Sequence, residues 1–180
     1  ATGHNRAQVL YYLAENLAQR EAEFAARLKD AGVPKAADEV AASIRRAFWY
    51  AAQADKYDGA VHSTKSSHVT LAMPEPYGAI GIACPTDAPL LGFLSLVLPA
   101  IAMGNSVVAV PSQNMPLAAT DLYQVLETSD LPGGVVNIVT GAREELTKTL
   151  AEHDDVAAMS GIVDHCRIKP KDRGHRSNAD

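Results

Sequence analysis

The chain has 180 residues, enough for one domain with its own core, and 47% of them are hydrophobic, as in a soluble globular protein. A net charge of −5 argues against a nucleic-acid surface, which needs a clustered basic face. Two cysteines, Cys84 and Cys166, lack the CxxC spacing of a zinc site and are too few for a disulfide framework.

No charged stretch followed by an apolar core opens the chain. The longest apolar run, 88–104, is interrupted by Gly92, Ser95 and Pro99 and is short for a membrane span. The expectation is a cytoplasmic protein without a membrane anchor.

Residues 5–30 place Leu10, Leu13, Leu17, Phe24 and Leu28 on one helical face. Gly32, with Pro34 just beyond, stops that helix. A second helix over 35–56 repeats Val40, Ile44, Phe48 and Ala51 at near i, i+4 spacing. On it, Arg45 and Arg46 read as solvated charges, and Trp49 and Tyr50 as packing residues. Tyr57-Asp58-Gly59 marks a turn. Val69, Leu71 and Met73 then alternate with polar or small neighbours, which predicts a half-buried strand. No helix separates it from its successor, so it is assigned to a short antiparallel ribbon whose unpaired edges suit subunit contacts.

The stretch 76–141 organises the rest. Three apolar runs rich in Val, Ile and Ala (79–83, 107–110 and 135–139) alternate with two helix-length segments, with Pro and Gly at the boundaries. This is the pattern of βαβαβ units and a parallel sheet covered on both faces. The first of these helices starts near Pro89 with Asp87 as its N-cap, and ends at Gly104-Asn105. Further helices are expected over 117–128 and 144–152, the latter with Leu146 and Leu150 on one face, and a fourth parallel strand over 156–159. From 162 to 180 five Lys/Arg stand against three Asp, so this tail is +2 and leaves −7 for the rest of a −5 chain. Such a switch reads as a disordered or foreign end, which puts the domain at 1–161. His165, Cys166 and His175 lack a metal-ligand spacing, and no metal site is expected.

Ligands of parallel sheets bind beyond the carboxyl ends of the strands, here in the turns 84–88, 111–115 and 140–143. Neither GxGxxG nor a Walker sequence occurs there. The turn after the first core strand reads Cys84-Pro85-Thr86-Asp87, and the usual place of a ribose-binding carboxylate reads Ser112-Gln113-Asn114. Gln is a weaker ribose clamp than Glu or Asp. Pattern alone therefore supports an α/β domain with a modest nucleotide site.

The segments PYGAIGIACP, PLLGFLSLVLPAIAMGNSVVAVPS and LPGGVVNIVTG occur in that order, preceded by NRAQVLYYLAENL. Together they resemble the cofactor-binding half of the aldehyde dehydrogenase superfamily over roughly 5–159. The resemblance implies a Rossmann-like parallel sheet with helices on both faces, preceded by two N-terminal helices and the short ribbon. It also implies NAD or NADP bound without a GxGxxG turn, with Pro85, Ser112, Gln113 and Gly141 as the cofactor-binding positions. In that family a cysteine thiolate attacks the aldehyde, hydride passes to the nicotinamide, and the thioester is hydrolysed.

This chain departs from the family pattern in three places. The turn Pro-Trp-Asn-(Phe/Tyr)-Pro reads Pro85-Thr86-Asp87-Ala88-Pro89, so Asp87 stands where the family's oxyanion-holding Asn stands. An ionised carboxylate there repels a developing oxyanion. Lys-Pro-Ser-Glu reads Val110-Pro111-Ser112-Gln113, which removes both charged cofactor partners, each worth roughly 1.5–3 kcal/mol. The Glu-Leu-Gly-Gly and Gly-Gln-x-Cys motifs do not occur, and Cys84 is expected to be an inert buried thiol. The expectation is an aldehyde dehydrogenase-like NAD(P)-binding fragment with no catalytic residue of its own. The alternatives are a non-catalytic pseudo-domain that serves an assembly and an unrelated nucleotide-binding module. Its expected partners are a second copy or a missing catalytic domain.

Overall fold

In the computed structural model, residues 1–57, 59–65 and 67–161 are described. The expectations for the 162–180 tail, including Cys166, and for Asp58 lie outside the described residues.

Helix α1 (Gly3–Gln19) opens on Thr2, whose Oγ1 accepts the Asn5 N–H at 3.2 Å. The single helix expected over 5–30 is two. Arg20 leaves helical geometry (φ −105°, ψ 15°), and its N–H donates to Leu17 O, three residues back, before α2 (Glu21–Asp30) begins. One tightened turn hardly disturbs a periodic apolar face, so the spacing of Leu17, Phe24 and Leu28 could not reveal it. Arg20 then braces the start of α2, donating to both Glu23 carboxylate oxygens at 2.7 and 2.8 Å. The N-terminal layer therefore has three helices rather than two. At the end of α2, Gly32 takes φ 83°, and the N–H groups of Gly32 and Val33 close on Lys29 O and Leu28 O. Helix α3 (Ala36–Gln53) follows, burying Val40, Ser43, Ile44, Ala47 and Ala51.

Strands β1 (Ala60–His62) and β2 (Thr70–Ala72) form the expected antiparallel ribbon, with Val61 opposite Leu71. The expected half-burial is overturned. Val61 is 74% exposed and Leu71 58%, and Val69 and Met73 are exposed as well. Alternation reflects the pleat of the strand, and a pleat says nothing about whether another element covers either face.

The core sheet consists of β3 (Ala79–Ala83), β4 (Ser106–Val110), β5 (Val136–Ile138) and β6 (Val156–Gly161). All four are parallel, in the order β5-β4-β3-β6. Helix α4 (Pro89–Ala102) joins β3 to β4, and α5 (Leu117–Thr120) with α6 (Leu122–Glu127) joins β4 to β5. The helix expected over 117–128 is divided at Asp121, which keeps helical dihedrals (φ −63°, ψ −22°). Helix α7 (Arg143–Glu152) leads back across the sheet to β6. Right-handed crossovers require α7 to lie on the face opposite α4. The side chains agree with this. Ile80 and Ile82 share one core with Leu90, Phe93 and Leu94 of α4, whereas a Cβ on the intervening Gly81 would stand 3.4 Å from Leu150 of α7.

The Gly104-Asn105 turn is a junction. Gly104 takes φ 86°, a left-handed conformation that closes α4. Buried Asn105 donates its Nδ2 to Ala100 O at 2.9 Å and accepts the Tyr77 and Gly78 N–H groups at 2.7 and 3.2 Å. One side chain thus fastens the chain entering β3 to the end of the helix leaving it. At the outer edge of the sheet, Tyr123 Oη accepts the Ile138 N–H at 3.1 Å and occupies a donor that β5 would otherwise leave open.

Candidate functional site

The order β5-β4-β3-β6 reverses direction between β3 and β6, and that reversal opens a crevice at the carboxyl ends of the strands. The turns at 84–88, 111–115 and 139–142 stand along this edge. Ladder bonds continue into them. Cys84 N–H donates to Val110 O and Val139 N–H to Ala109 O, both at 2.9 Å, so the turns leave a sheet that is still paired.

Gln113 links two of these turns. Its Oε1 accepts the Arg143 N–H at 3.1 Å, which ties the turn after β4 to the first residue of α7. Gln113 is exposed, and among the described residues its Nε2 has no partner, so a neutral amide donor is on offer where the family resemblance places the ribose. Gly141 belongs to the same constellation, and a Cβ on it would stand 3.1 Å from Leu146 Cδ1. Ser112, the neighbour of Gln113, is completely buried, and its Oγ has no hydrogen-bond partner among the described residues. It does not cap the following helix, whose N-cap is Pro116. A buried hydroxyl left unpaired costs about 1–3 kcal/mol.

Pro85 and Asp87 stand in the turn after β3, and no hydrogen bond ties either to Gln113 or Gly141 among the described residues. Half-buried Pro85 packs on the first turn of α4, where a Cβ on Gly92 would come within 2.4 Å of its Cγ. The expectation that Asp87 caps α4 is overturned. The N-cap is Ala88, which supplies no side-chain bond, and exposed Asp87 only accepts a hydrogen bond at 3.4 Å from Thr86 Oγ1. The cap comes from α3 instead. Glu39 Oε1 accepts the N–H groups of Leu90 and Leu91 at 2.9 and 3.1 Å. At the opposite end of α4, Arg6 of α1 donates its Nε to Ala102 O at 2.7 Å. A carboxylate thus meets the positive end of the helix dipole and a guanidinium the negative end.

Cys84 is fully buried at the end of β3. Burial pushes its thiol up to about 12, against a smaller opposing pull from Arg143. At neutral pH it is a thiol and therefore a poor nucleophile. Among the described residues Arg143 is the cation felt by Cys84, and Glu39 is the residue of this edge that sequence reasoning missed. Among the described residues, no group of three or more His, Cys, Asp or Glu side chains could hold a metal ion. No helix among them is long and apolar enough to cross a membrane.

A model of the aldehyde dehydrogenase family matches residues 1–162. The chain is 37% identical over 123 residues to the NADP/NAD-dependent aldehyde dehydrogenase PuuC of Escherichia coli (strain K12), a match covering 68% of this chain and 25% of that protein. It is 31% identical over 163 residues to the alpha-ketoglutaric semialdehyde dehydrogenase of Bacillus subtilis (strain 168), covering 88% of this chain and 33% of that one. Among solved structures, an NAD-dependent aldehyde dehydrogenase from Sinorhizobium meliloti superposes with a TM-score of 0.84 at 26% identity, over 89% of this chain and 33% of that one. The glyceraldehyde-3-phosphate dehydrogenase GapN from Methanocaldococcus jannaschii, complexed with NADP, gives 0.80 at 29% identity, over 86% and 35%. The chain thus spans a quarter to a third of the length of these curated relatives.

Proposed function

The chain belongs to the aldehyde dehydrogenase family, and we propose that it is an NAD(P)-binding segment of such a protein that does not oxidise an aldehyde by itself. The observation that carries this reading is Gln113, exposed at the carboxyl edge of the sheet and tied by its Oε1 to the start of α7. With Oε1 engaged, its Nε2 is left to donate to a ribose hydroxyl oxygen, so the residues present fit the cofactor's sugar with one neutral contact. Val110 is buried and apolar where the family has a lysine, and it adds no charge. When bound, the nicotinamide supplies the hydride acceptor. This chain's residues supply the shelf: Gln113 orients the sugar, and Pro85 locks the turn after β3 against α4.

The missing chemistry supports the second half of the proposal. Cys84 is held as a buried thiol, the sequence has no Gly-Gln-x-Cys motif, and Asp87 carries a carboxylate where an oxyanion would need a donor. On this reading the groups of the family's aldehyde chemistry are not supplied by these 180 residues. The exposed apolar ribbon of β1 and β2 supports a second reading, an assembly role in which two copies meet through it.

Titration calorimetry with NAD and NADP tests the reading on the wild type and on Gln113→Glu. A carboxylate keeps the acceptor for the Arg143 N–H and adds a charged partner for the ribose. It should tighten binding roughly tenfold. Identical weak isotherms for both proteins would remove Gln113 from the site, and an absence of binding in both would leave the assembly reading as the better one.

A further inference from the structure

The group that meets the ribose decides which form of a dinucleotide a parallel sheet accepts. A carboxylate takes hydrogen bonds from the ribose hydroxyls and repels a phosphate on the 2′ oxygen, whereas a neutral donor with an arginine beside it accepts that phosphate. Gln113 holds this position, and its hydrogen bonding leaves one kind of group over. Oε1 is occupied by the Arg143 N–H at 3.1 Å, so what remains is Nε2, which only donates. A phosphate oxygen only accepts.

The same bond brings in a cation. Arg143 has its N–H on Gln113, and its charge is felt at Cys84, whose own N–H is bonded to Val110 O at 2.9 Å. The half-buried Arg143 side chain thus lies along the crevice from the turn after β4 toward the end of β3. Three carboxylates oppose it: Glu144 and Glu145 in the first turn of α7, and Asp87 in the turn after β3. All three are exposed, where salt screens their fields over roughly 8 Å, so the groups in direct contact decide.

Resting on the cofactor reading above, we propose that Gln113 and Arg143 select the dinucleotide that carries a 2′-phosphate, NADP over NAD. Both donate to the phosphate, one as a neutral amide and one as a guanidinium. The tightening expected of Gln113→Glu therefore belongs to NAD, whose 2′-hydroxyl can donate to the new carboxylate. With NADP the same substitution sets a carboxylate against the phosphate and weakens binding.

The test is calorimetric titration of the full 180-residue chain with NAD and with NADP at constant ionic strength. The wild type should bind NADP at least roughly tenfold more tightly. Arg143→Met keeps the backbone N–H that holds Gln113 and removes the charge. It should bring the two affinities together by weakening NADP alone. NAD bound as tightly as NADP by the wild type, or more tightly, overturns the proposal and leaves the cofactor reading standing, with no need for any variant to fold. So does a folded Arg143→Met that retains the full preference. Binding of neither dinucleotide overturns both.

Discussion

At the level of single residues the site is defined as much by what its groups cannot do as by what they can. Cys84 sits at the end of β3, where a sequence reading places an inert thiol, and the structure supplies the cause: burial raises the thiol from its ordinary 9.0 to about 12. Alkylation with iodoacetamide at neutral pH should leave the Cys84 peptide unmodified in the native chain and label it after denaturation. Native labelling at the rate of a free thiol would contradict the assigned burial. The raised value also sets a sign for stability. The folded state holds the proton that the unfolded state releases above pH 9, so the contribution of Cys84 is complete below 9 and falls as pH rises toward 12. The slope is about 1.4 kcal/mol per pH unit in that window, measurable by urea denaturation of the wild type against Cys84→Ala.

Elements were readable where the signal was local. The three apolar runs and the Pro89 start of α4 follow from run length and turn residues, and both stand in the structure as expected. The Gly104-Asn105 end of α4 was readable as a stop. Its second role, holding Tyr77 and Gly78, was not, because those residues lie 27 and 28 positions earlier. The Glu39 cap was hidden for the same reason, and Asp87 was the natural local candidate in its place. Asn105→Ala removes one donor and one acceptor that together make three hydrogen bonds at a buried position. It should cost about 2–4 kcal/mol in a denaturation experiment. A loss below about 0.5 kcal/mol, the size of an ordinary surface substitution, would show that this junction does not hold β3 to α4.

At the scale of the whole molecule, α1, α2 and α3 share one continuous apolar core with the sheet and α4. The N-terminal helices are therefore part of the machinery that shapes the carboxyl edge, with Arg6 and Glu39 gripping the two ends of α4. The ribbon stands outside that core. Its composition announced a strand, but burial depends on a partner surface, and no local pattern carries that information. If two copies meet through the ribbon, Leu71→Pro should shift the sedimentation profile toward monomer, because proline at the centre of β2 disrupts the strand that pairs Leu71 with Val61. An unchanged profile removes the ribbon from any interface.

Amide hydrogen exchange of the full chain with and without NAD tests most directly whether the carboxyl edge of the sheet receives the cofactor. Slowed exchange in the 111–115 and 139–142 turns, with α1 and α2 unchanged, is the predicted result. Protection confined to any other part of the chain, or none at saturating NAD, would contradict it.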